Sequence, residues 1–215
     1  MKAKKIGIIG SGQVAQILAA GFLKHGYDVM VGSNHPNKLA DWKIKNATAQ
    51  LGSFDEAAKF GEIIVLAVKG TAAESIIKSI ASNLINKIVI DSTNPIAEAP
   101  PSNGVLKYFT TMEQSLMELL QKTAPQAKFV KAFNSVGNSF MVNPSFPGGK
   151  PTMFICGNDS NAKTEVSSIL DQFGWETADF GFAESARAIE PLCILWCIPG
   201  MIRNEWQHAF KLLKM

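Results

Sequence analysis

Residues 6–15 read Ile-Gly-Ile-Ile-Gly-Ser-Gly-Gln-Val-Ala, a short apolar run followed at once by a glycine-rich turn. The apolar run is typical of a strand buried on both faces, and the residues after Gly12 carry apolar side chains at helical spacing. A turn of this kind between a first strand and a first helix has the G-x-G-x-x-A form of a dinucleotide-binding loop. In such a loop Gly10 permits the tight turn, Gly12 lets the backbone approach a pyrophosphate, and Ala15 allows close packing of the helix. The flanking strand and helix favour this interpretation over a plain turn.

The rest of the chain alternates between strand-like and helix-like stretches, as expected for a parallel sheet covered on both faces. The predicted strands are Lys4–Ile9, Tyr27–Val31, Glu62–Val68, Lys87–Ile90, Ala127–Ala132, Thr152–Cys156 and Trp175–Asp179. The predicted helices are Gly12–His25, Pro36–Lys45, Phe54–Phe60, Thr71–Leu84, Met112–Thr123, Asp159–Phe173 and a helical C-terminus. Repeated βα units connect right-handedly, so we predict an α/β, Rossmann-type, doubly wound and mostly parallel sheet.

Two loops indicate how the chain is organised. The Pro/Gly-rich loop Asn143–Pro151 is the predicted boundary between a Rossmann domain at 1–145 and a small C-terminal α/β segment at 146–215, packed on the same core. Asp91–Thr111 holds three prolines and one glycine. Because long loops inside compact domains are usually functional, we expect this loop on the ligand side of the sheet.

The composition excludes several classes of partner. The 215 residues are 47% hydrophobic and 18% charged, enough apolar material for a proper core. The net charge of +3 comes from scattered basic residues, which does not indicate a nucleic-acid partner. The longest apolar stretch, Pro191–Ile202, is shorter than the roughly 20 residues that span a bilayer. We therefore predict a cytoplasmic protein without a membrane segment.

The three cysteines, Cys156, Cys193 and Cys197, lie among Phe, Ile, Leu and Trp. That setting is typical of buried thiols in a reducing compartment. Cys193 and Cys197 would share a face of a helix, so a metal or redox pair is the alternative. No His or acidic residue accompanies them at useful spacing, and we predict no metal site.

Several C-terminal side chains are large and apolar, among them Trp196, Trp206 and Phe210. They belong either to the core or to a helix-in-groove contact between two copies, and we predict a homodimer. Lys131, at a strand end, is expected to point to solvent. Arg187 and Glu190 are expected to pair at i,i+3 on one helix.

The residues after the second strand bear on the choice of dinucleotide. NAD-preferring sites usually place an acid about 20 residues past the glycine loop, on the ribose hydroxyl. Here the strand ends in Val-Gly-Ser-Asn-His at 31–35, without an acid. Ser33 and Asn34 offer neutral donors, Lys38 adds a positive charge, and His35 joins them when protonated. Ordinary turn and N-cap roles are the alternative, but the pattern favours NADP over NAD.

Further segments carry a family likeness. Four of them are Ile-Gly-Ile-Ile-Gly-Ser-Gly at 6–12, Val-Gly-Ser at 31–33, Ile-Val-Leu-Ala-Val at 64–68 and Asp-Ser-Thr-Asn-Pro at 91–95. More distinctive are Val-Lys-Ala-Phe-Asn-Ser-Val-Gly at 130–137, and Ala-Glu-Ser-Ala-Arg at 183–187 with Glu-Pro-Leu at 190–192. Along nearly its whole length the chain resembles the NADP oxidoreductase, coenzyme F420-dependent family. It is also similar to the cytosolic NADPH-binding domains of the STEAP metalloreductases.

The resemblance implies a hydride transfer between NADP and a flavin or a deazaflavin of the F420 type, with the two rings stacked. Its implied cofactor-binding residues are Gly10, Ser11, Gly12, Gln13 and Val14 at the pyrophosphate, Ser33, Asn34 and Lys38 at the 2′-phosphate, Ala67, Val68 and Lys69 at the ribose, and Asn94, Pro95, Asn134, Val136 and Gly137 at the nicotinamide. The family often has Arg where Asn34 stands, which weakens the expected grip on the phosphate. Asn134 could orient the carboxamide, and a loop-structuring role is its alternative.

Other functions remain open from the sequence. The second redox partner is a small molecule that the residues do not identify. A non-catalytic NADP-binding or sensing module would use the same fold. A reductase of an imine or a keto acid shares this kind of N-terminal half, but such enzymes normally carry a longer helical C-terminal domain, and their catalytic lysine has no clear counterpart here.

Overall fold

A computed structural model describes residues 3–215. Its strands are β1 (Lys5–Ile9), β2 (Asp28–Gly32), β3 (Gln50–Gly52), β4 (Ile63–Leu66), β5 (Ile88–Asp91), β6 (Lys128–Lys131), β7 (Thr152–Ile155) and β8 (Glu176–Asp179). Its α-helices are α1 (Gln13–Lys24), α2 (Ala40–Lys45), α3 (Phe54–Phe60), α4 (Gly70–Ile80), α5 (Leu116–Thr123), α6 (Ser160–Gln172), α7 (Ala186–Ile189) and α8 (Leu192–Arg203). Short 3-10 turns lie at Pro36–Leu39, Ala81–Leu84, Asn138–Phe140 and Ala183–Ser185.

The predicted Rossmann-type fold is confirmed. Six strands form one sheet in the order β3-β2-β1-β4-β5-β6, and each neighbouring pair runs parallel. Because the strands are parallel, their carboxyl ends meet at one edge, and ligands of such sheets bind outside that edge where the strand order reverses. Here the reversal lies between β1 and β4. The loop after β1 is therefore placed where a ligand is expected.

Burial explains the strand compositions. β4 is buried along its whole length, and only Lys5 of β1 is partly exposed. One core cluster packs α1 and α6 against one face of the sheet, with Phe22 and Phe173 among its fully buried side chains. A second cluster packs α3, α4 and α5 against the other face. Two covered faces require nearly continuous apolar strands, which is the pattern that the sequence shows.

The bounds of several elements differ from the sequence prediction by a few residues, and three of the differences have an identifiable cause. The short strand β3 is absent from the predicted set, since its three residues are too few to show a period. Helix α5 begins at Leu116 rather than at Met112, because Ser115 and Glu118 form a capping box. The S-x-x-E pattern was visible in the sequence and would have located this start. The helical C-terminus ends at Arg203, where Asn204 adopts a left-handed conformation with φ of 57°.

The C-terminal residues build a small second layer. β7 and β8 form a parallel two-stranded sheet, and an antiparallel bridge between Lys131 and Cys156 joins it to β6. The division into 1–145 and 146–215 stays a prediction. The helical turns of Ala183–Arg203 are long and apolar enough to cross a membrane by length and composition alone, with 33% of that window buried in the fold. Core helices of soluble proteins pass the same test, so this is weak evidence for a membrane span.

Candidate dinucleotide site

Gly10 closes the turn between β1 and α1 in a way that needs a glycine. Its φ is +134°, and a Cβ added there would lie 2.1 Å from the carbonyl oxygen of Ala67. Its amide donates to the carbonyl of Gly32 at 3.1 Å. Gly10 therefore holds the ends of β2 and β4 close to the loop, and a side chain would push them apart.

The start of α1 is open. Gly12 is the N-cap of the helix, without a side-chain cap bond and without an acidic residue in the first turn. An added Cβ at Gly12 would meet no atom within 4 Å, so the space in front of it is free. Unused backbone N–H groups and the positive end of the helix dipole together favour an anion at this point. These residues fit a pyrophosphate.

A cleft of about 790 Å³ lies over this loop. Its lining residues are Gly10, Ser11, Gly12, Gln13, Val14, His35, Phe54, Ala67, Val68, Lys69, Ala72, Ser92 and Asn138. None of these described residues carries a carboxylate, and two of them carry basic side chains. The structure thus brings together the residues predicted for the pyrophosphate and for the ribose, at the carboxyl edge of the sheet.

Four lining residues are absent from the predicted site: Phe54, Ala72, Ser92 and Asn138. Asn138 donates its amide to the side-chain oxygen of Gln13 at 3.1 Å, which ties the 3-10 turn after β6 to the phosphate loop. Ser92 follows β5 and donates its hydroxyl to the carbonyl of Leu66 at 2.8 Å. The position of Ser92 after a strand end was a usable signal in the sequence, whereas that of Asn138 depends on tertiary packing.

The three residues predicted to bind a 2′-phosphate differ from one another in their exposure to solvent. Ser33 is 5% exposed, and its oxygen accepts the backbone N–H of His35 at 2.9 Å. Asn34 and Lys38 are exposed. Asn34 lines a smaller neighbouring recess of about 430 Å³ together with Phe54, which also borders the main cleft. Lys38 therefore provides an exposed positive charge beyond the carboxyl end of β2, and Ser33 shapes the turn between that strand and Lys38.

The residues predicted for the nicotinamide do not line the cleft, and two asparagines among them bind each other. Asn134 is 3% exposed and donates to the carbonyl of Ile189 at 3.0 Å and to Oδ1 of Asn94 at 3.2 Å. Asn94 in turn donates to the backbone carbonyl of Asn134 at 2.8 Å. The side-chain oxygen of Asn134 has no hydrogen-bond partner among the described residues. These bonds match the loop-structuring role, and a role in orienting a carboxamide stays a prediction.

The prediction that Lys131 points to solvent is wrong. Its side chain is fully buried, with Nζ 2.7 Å from a carboxylate oxygen of Asp91 and 2.9 Å from one of Glu190. It also donates to the carbonyl of Thr93 at 2.9 Å. Burial by itself lowers the pKa of this ammonium, but the two carboxylates outweigh it and hold the pKa above its ordinary value. Lys131 is therefore a buried cation and does not reach solvent.

Arg187 and Glu190 do not pair, contrary to the prediction. Glu190 accepts the backbone N–H groups of Leu116 and Met117, both at 3.0 Å, at the start of α5. Arg187 instead holds Glu118 through two hydrogen bonds of 3.0 and 2.6 Å. The Arg187 guanidinium and the capping serine lower the pKa of Glu118 to about 2. Both residues use partners from α5, because the turn of α7 faces the start of that helix.

A parallel sheet with an open glycine-rich turn at its switch point defines a Rossmann-type dinucleotide-binding protein. Residues 5–95 match the model of the family described as NADP oxidoreductase coenzyme F420-dependent. The predicted resemblance to this family is thereby confirmed, whereas the activity of an NADP-dependent oxidoreductase stays a prediction.

Three relatives extend the match beyond those residues. A solved structure from Arthrobacter sp. FB24, a putative F420-dependent NADP reductase, superposes with a TM-score of 0.91 at 28% identity and covers 99% of this chain and 100% of its own. Metalloreductase STEAP3 of Rattus norvegicus is 31% identical over 94% of this chain, which spans 39% of that protein. The F420-dependent NADP reductase of Methanocaldococcus jannaschii is 29% identical over 64% of this chain and 61% of its own. The chain thus spans about two-fifths of the metalloreductase and three-fifths of the archaeal reductase.

Proposed function

We propose that the protein passes hydride between NADP and a flavin or deazaflavin acceptor. The observation that carries this proposal is the open N-terminus of α1 over a cleft whose lining has basic side chains and no carboxylate. Such a site accepts a pyrophosphate and does not repel a 2′-phosphate. Two relatives are named F420-dependent NADP reductase and metalloreductase, and both names support an oxidation–reduction reaction.

The 2′-phosphate is assigned to the end of β2. Lys38 and Asn34 are exposed there, and His35 lines the cleft. An ammonium that reaches a phosphate through solvent contributes about 1 kcal/mol, which corresponds to roughly a fivefold change in affinity. We therefore expect a clear preference for NADPH over NADH that depends in part on Lys38.

The acceptor is assigned from how the polar groups are used. Asp91, at the carboxyl end of β5, and Glu190 are both bound to Lys131 inside the fold. Besides the basic side chains of His35 and Lys69, the cleft offers backbone, amide and hydroxyl groups and apolar side chains, and its lining holds no carboxyl group. Bound NADPH would supply the hydride and become NADP+, and transfer to an oxidised second redox ring needs orientation by the protein rather than a general acid. A keto-acid or imine reductase would need a proton donor at the reacting atoms.

The test begins with calorimetric titration of the purified protein with NADPH and NADH. NADPH oxidation is then followed at its absorbance band with riboflavin, FMN, F420, a keto acid and a cyclic imine as acceptors. We expect tight NADPH binding and turnover with one of the three ring acceptors. Turnover only with the keto acid or the imine would overturn the acceptor assignment. Tight binding without turnover by any acceptor would indicate a sensing module.

Lys38→Ala sharpens the cofactor assignment. It should weaken NADPH binding roughly fivefold and leave NADH binding unchanged, since only NADPH carries the 2′-phosphate. Lys45→Ala is the matched control, because Lys45 is also an exposed lysine of the following helix, α2. Equal loss in both variants would show a general charge effect instead of a phosphate contact.

We also propose a homodimer in the cytoplasm. Leu195 and Ile202 of α8 are 55% and 56% exposed. Large apolar side chains exposed to this extent favour contact with a second copy of the chain, because the contact removes them from water. The three cysteines are free thiols, as expected in a reducing compartment. Light scattering of the purified protein, repeated with Leu195→Glu, tests the dimer: a monomeric mass for the unmodified chain would contradict it.

A further inference from the structure

Asn138 lies at the end of the cleft that is opposite to the proposed 2′-phosphate site. It begins the 3-10 turn Asn138–Phe140, which follows β6, whereas Lys38 lies in the turn that follows β2. In the sheet, β2 and β6 lie on opposite sides of β1. A dinucleotide whose pyrophosphate occupies the start of α1 and whose 2′-phosphate lies beyond β2 therefore extends its nicotinamide toward Asn138.

The side-chain amide of Asn138 has a fixed direction. Its Nδ2 donates to Oε1 of Gln13, the first residue of α1, at 3.1 Å, and both side chains line the cleft. Because the amino end of the amide is turned toward Gln13, its carbonyl end is left as a hydrogen-bond acceptor. No donor group among residues 3–215 is bonded to that oxygen. Asn138 thus brings an oriented and unused acceptor to the cleft wall.

Asn134, the residue predicted to orient the carboxamide, is placed differently. Its Nδ2 donates to the carbonyl of Ile189 and to Oδ1 of Asn94, and its own oxygen is buried without a partner. Asn138 is among the residues that line the cleft and is only partly buried, whereas Asn134 does not line it. A ligand would have to displace the packing around Asn134 to reach its oxygen, so Asn138 is the accessible amide at this end of the cleft.

The chemistry of the cofactor matches this acceptor, because the nicotinamide carboxamide has an amino group that donates hydrogen bonds. We propose that Asn138 orients the nicotinamide by accepting a hydrogen bond from the carboxamide N–H group, with Gln13 holding the Asn138 amide in the required direction. This inference rests on the proposed NADP site. The carboxamide is attached to the ring carbon next to the one that exchanges hydride, so the bond to Asn138 positions the reacting atom against the second redox ring.

The test compares NADP+ with its 3-acetylpyridine analogue, in which an acetyl group replaces the carboxamide. The analogue keeps the carbonyl oxygen and lacks the N–H donor. In calorimetric titrations the unmodified protein should bind NADP+ about three- to tenfold more tightly than the analogue, which is the contribution of one hydrogen bond. Asn138→Ala should bring the ratio of the two affinities close to one. Ser139→Ala is the matched control and should keep the ratio, since Ser139 is exposed in the same turn and does not line the cleft.

A second variant separates the acceptor oxygen from a general effect on the turn. Asn138→Asp keeps an acceptor and adds a negative charge near the pyrophosphate, so it should weaken binding of NADP+ and of the analogue by a similar factor. The ratio of the two affinities should therefore stay at least as large as in the unmodified protein. A ratio close to one in both Asn138→Asp and Asn138→Ala would mean that the turn is responsible, and the assignment of the oxygen would be wrong.

The remaining outcomes distinguish this inference from the proposed function. Equal affinities of the unmodified protein for NADP+ and the analogue would overturn the inference alone, as would a ratio that persists in Asn138→Ala. A ratio lost in Asn134→Ala but kept in Asn138→Ala would return the role to Asn134. Absence of binding of both dinucleotides would overturn the proposed function together with the inference. Because binding is measured, none of these outcomes depends on finding the acceptor.

Discussion

The phosphate loop and the end of β6 lie at the same edge of the sheet but use their polar groups in opposite ways. At Gly12 the backbone donors of α1 are unused and face open space. Around Lys131 the carboxylates of Asp91 and Glu190 are both bound to its ammonium, and Glu190 also accepts a backbone N–H at the start of α5. Proximity to the ligand edge therefore does not make a charged residue part of the ligand site. The distinguishing property is whether its hydrogen-bonding capacity is already used inside the fold.

The largest expected effect on stability comes from removing the buried cation. Lys131→Met should lower the free energy of unfolding by about 3–5 kcal/mol, because it leaves the carboxylates of Asp91 and Glu190 buried without a counter-charge. Urea denaturation measures the change. Combining Lys131→Met with Asp91→Asn and Glu190→Gln removes the charges together and should recover part of the loss. A single variant as stable as the parent would show that this cluster is not a closed structural unit.

The second effect concerns the glycine that the fold needs. Gly10→Ala should destabilise the protein by about 2–3 kcal/mol, since its methyl group would lie 2.1 Å from the carbonyl oxygen of Ala67 at a φ of +134°. The midpoint of urea unfolding measures this loss of stability. An unchanged midpoint would mean that β4 and the loop can separate without cost.

The third effect should appear in binding alone. At Gly12 the added methyl of Gly12→Ala meets no protein atom, but it occupies the space in front of the helix start. We expect dinucleotide affinity to fall at least tenfold, about 1.4 kcal/mol, with unfolding almost unchanged. Calorimetry and denaturation on the same preparation compare the two quantities. Normal NADPH affinity in this variant would place the pyrophosphate elsewhere.

The smallest effect concerns a partly exposed ion pair. Glu118→Gln should lower stability by about 1 kcal/mol near neutral pH, through the loss of the Arg187 contact and of the charged capping box. The pKa of Glu118 is about 2 in the fold against 4.5 for the free group. Its contribution is therefore present above about pH 4.5 and is lost as the pH falls toward 2. The difference in unfolding free energy between the two proteins should be smaller at pH 3.5 than at pH 7, and a constant difference would contradict this account.

Of the two regions compared, the sequence predicted the phosphate loop well. The turn at Gly10 and Gly12 was recognisable because its roles depend on neighbours in the chain, a strand before and a helix after. The pairings of Lys131 and Arg187 were not, since their partners lie 40 or more residues away and a side chain at a strand end is usually exposed. Asn138 was also missed because its partner is distant in the chain: it lines the cleft through a hydrogen bond to Gln13.

By itself the sequence determined the α/β class, the parallel order of βα units, the phosphate loop and the absence of an acid at the end of β2. These features follow from local periodicity and from steric needs of single residues, which are encoded within a few positions. Only the tertiary structure decided that Lys131 is buried between Asp91 and Glu190, and that Asn134 is bonded inside the fold. Whether a polar group faces a ligand depends on which distant partners satisfy it, because burial makes an unsatisfied group costly.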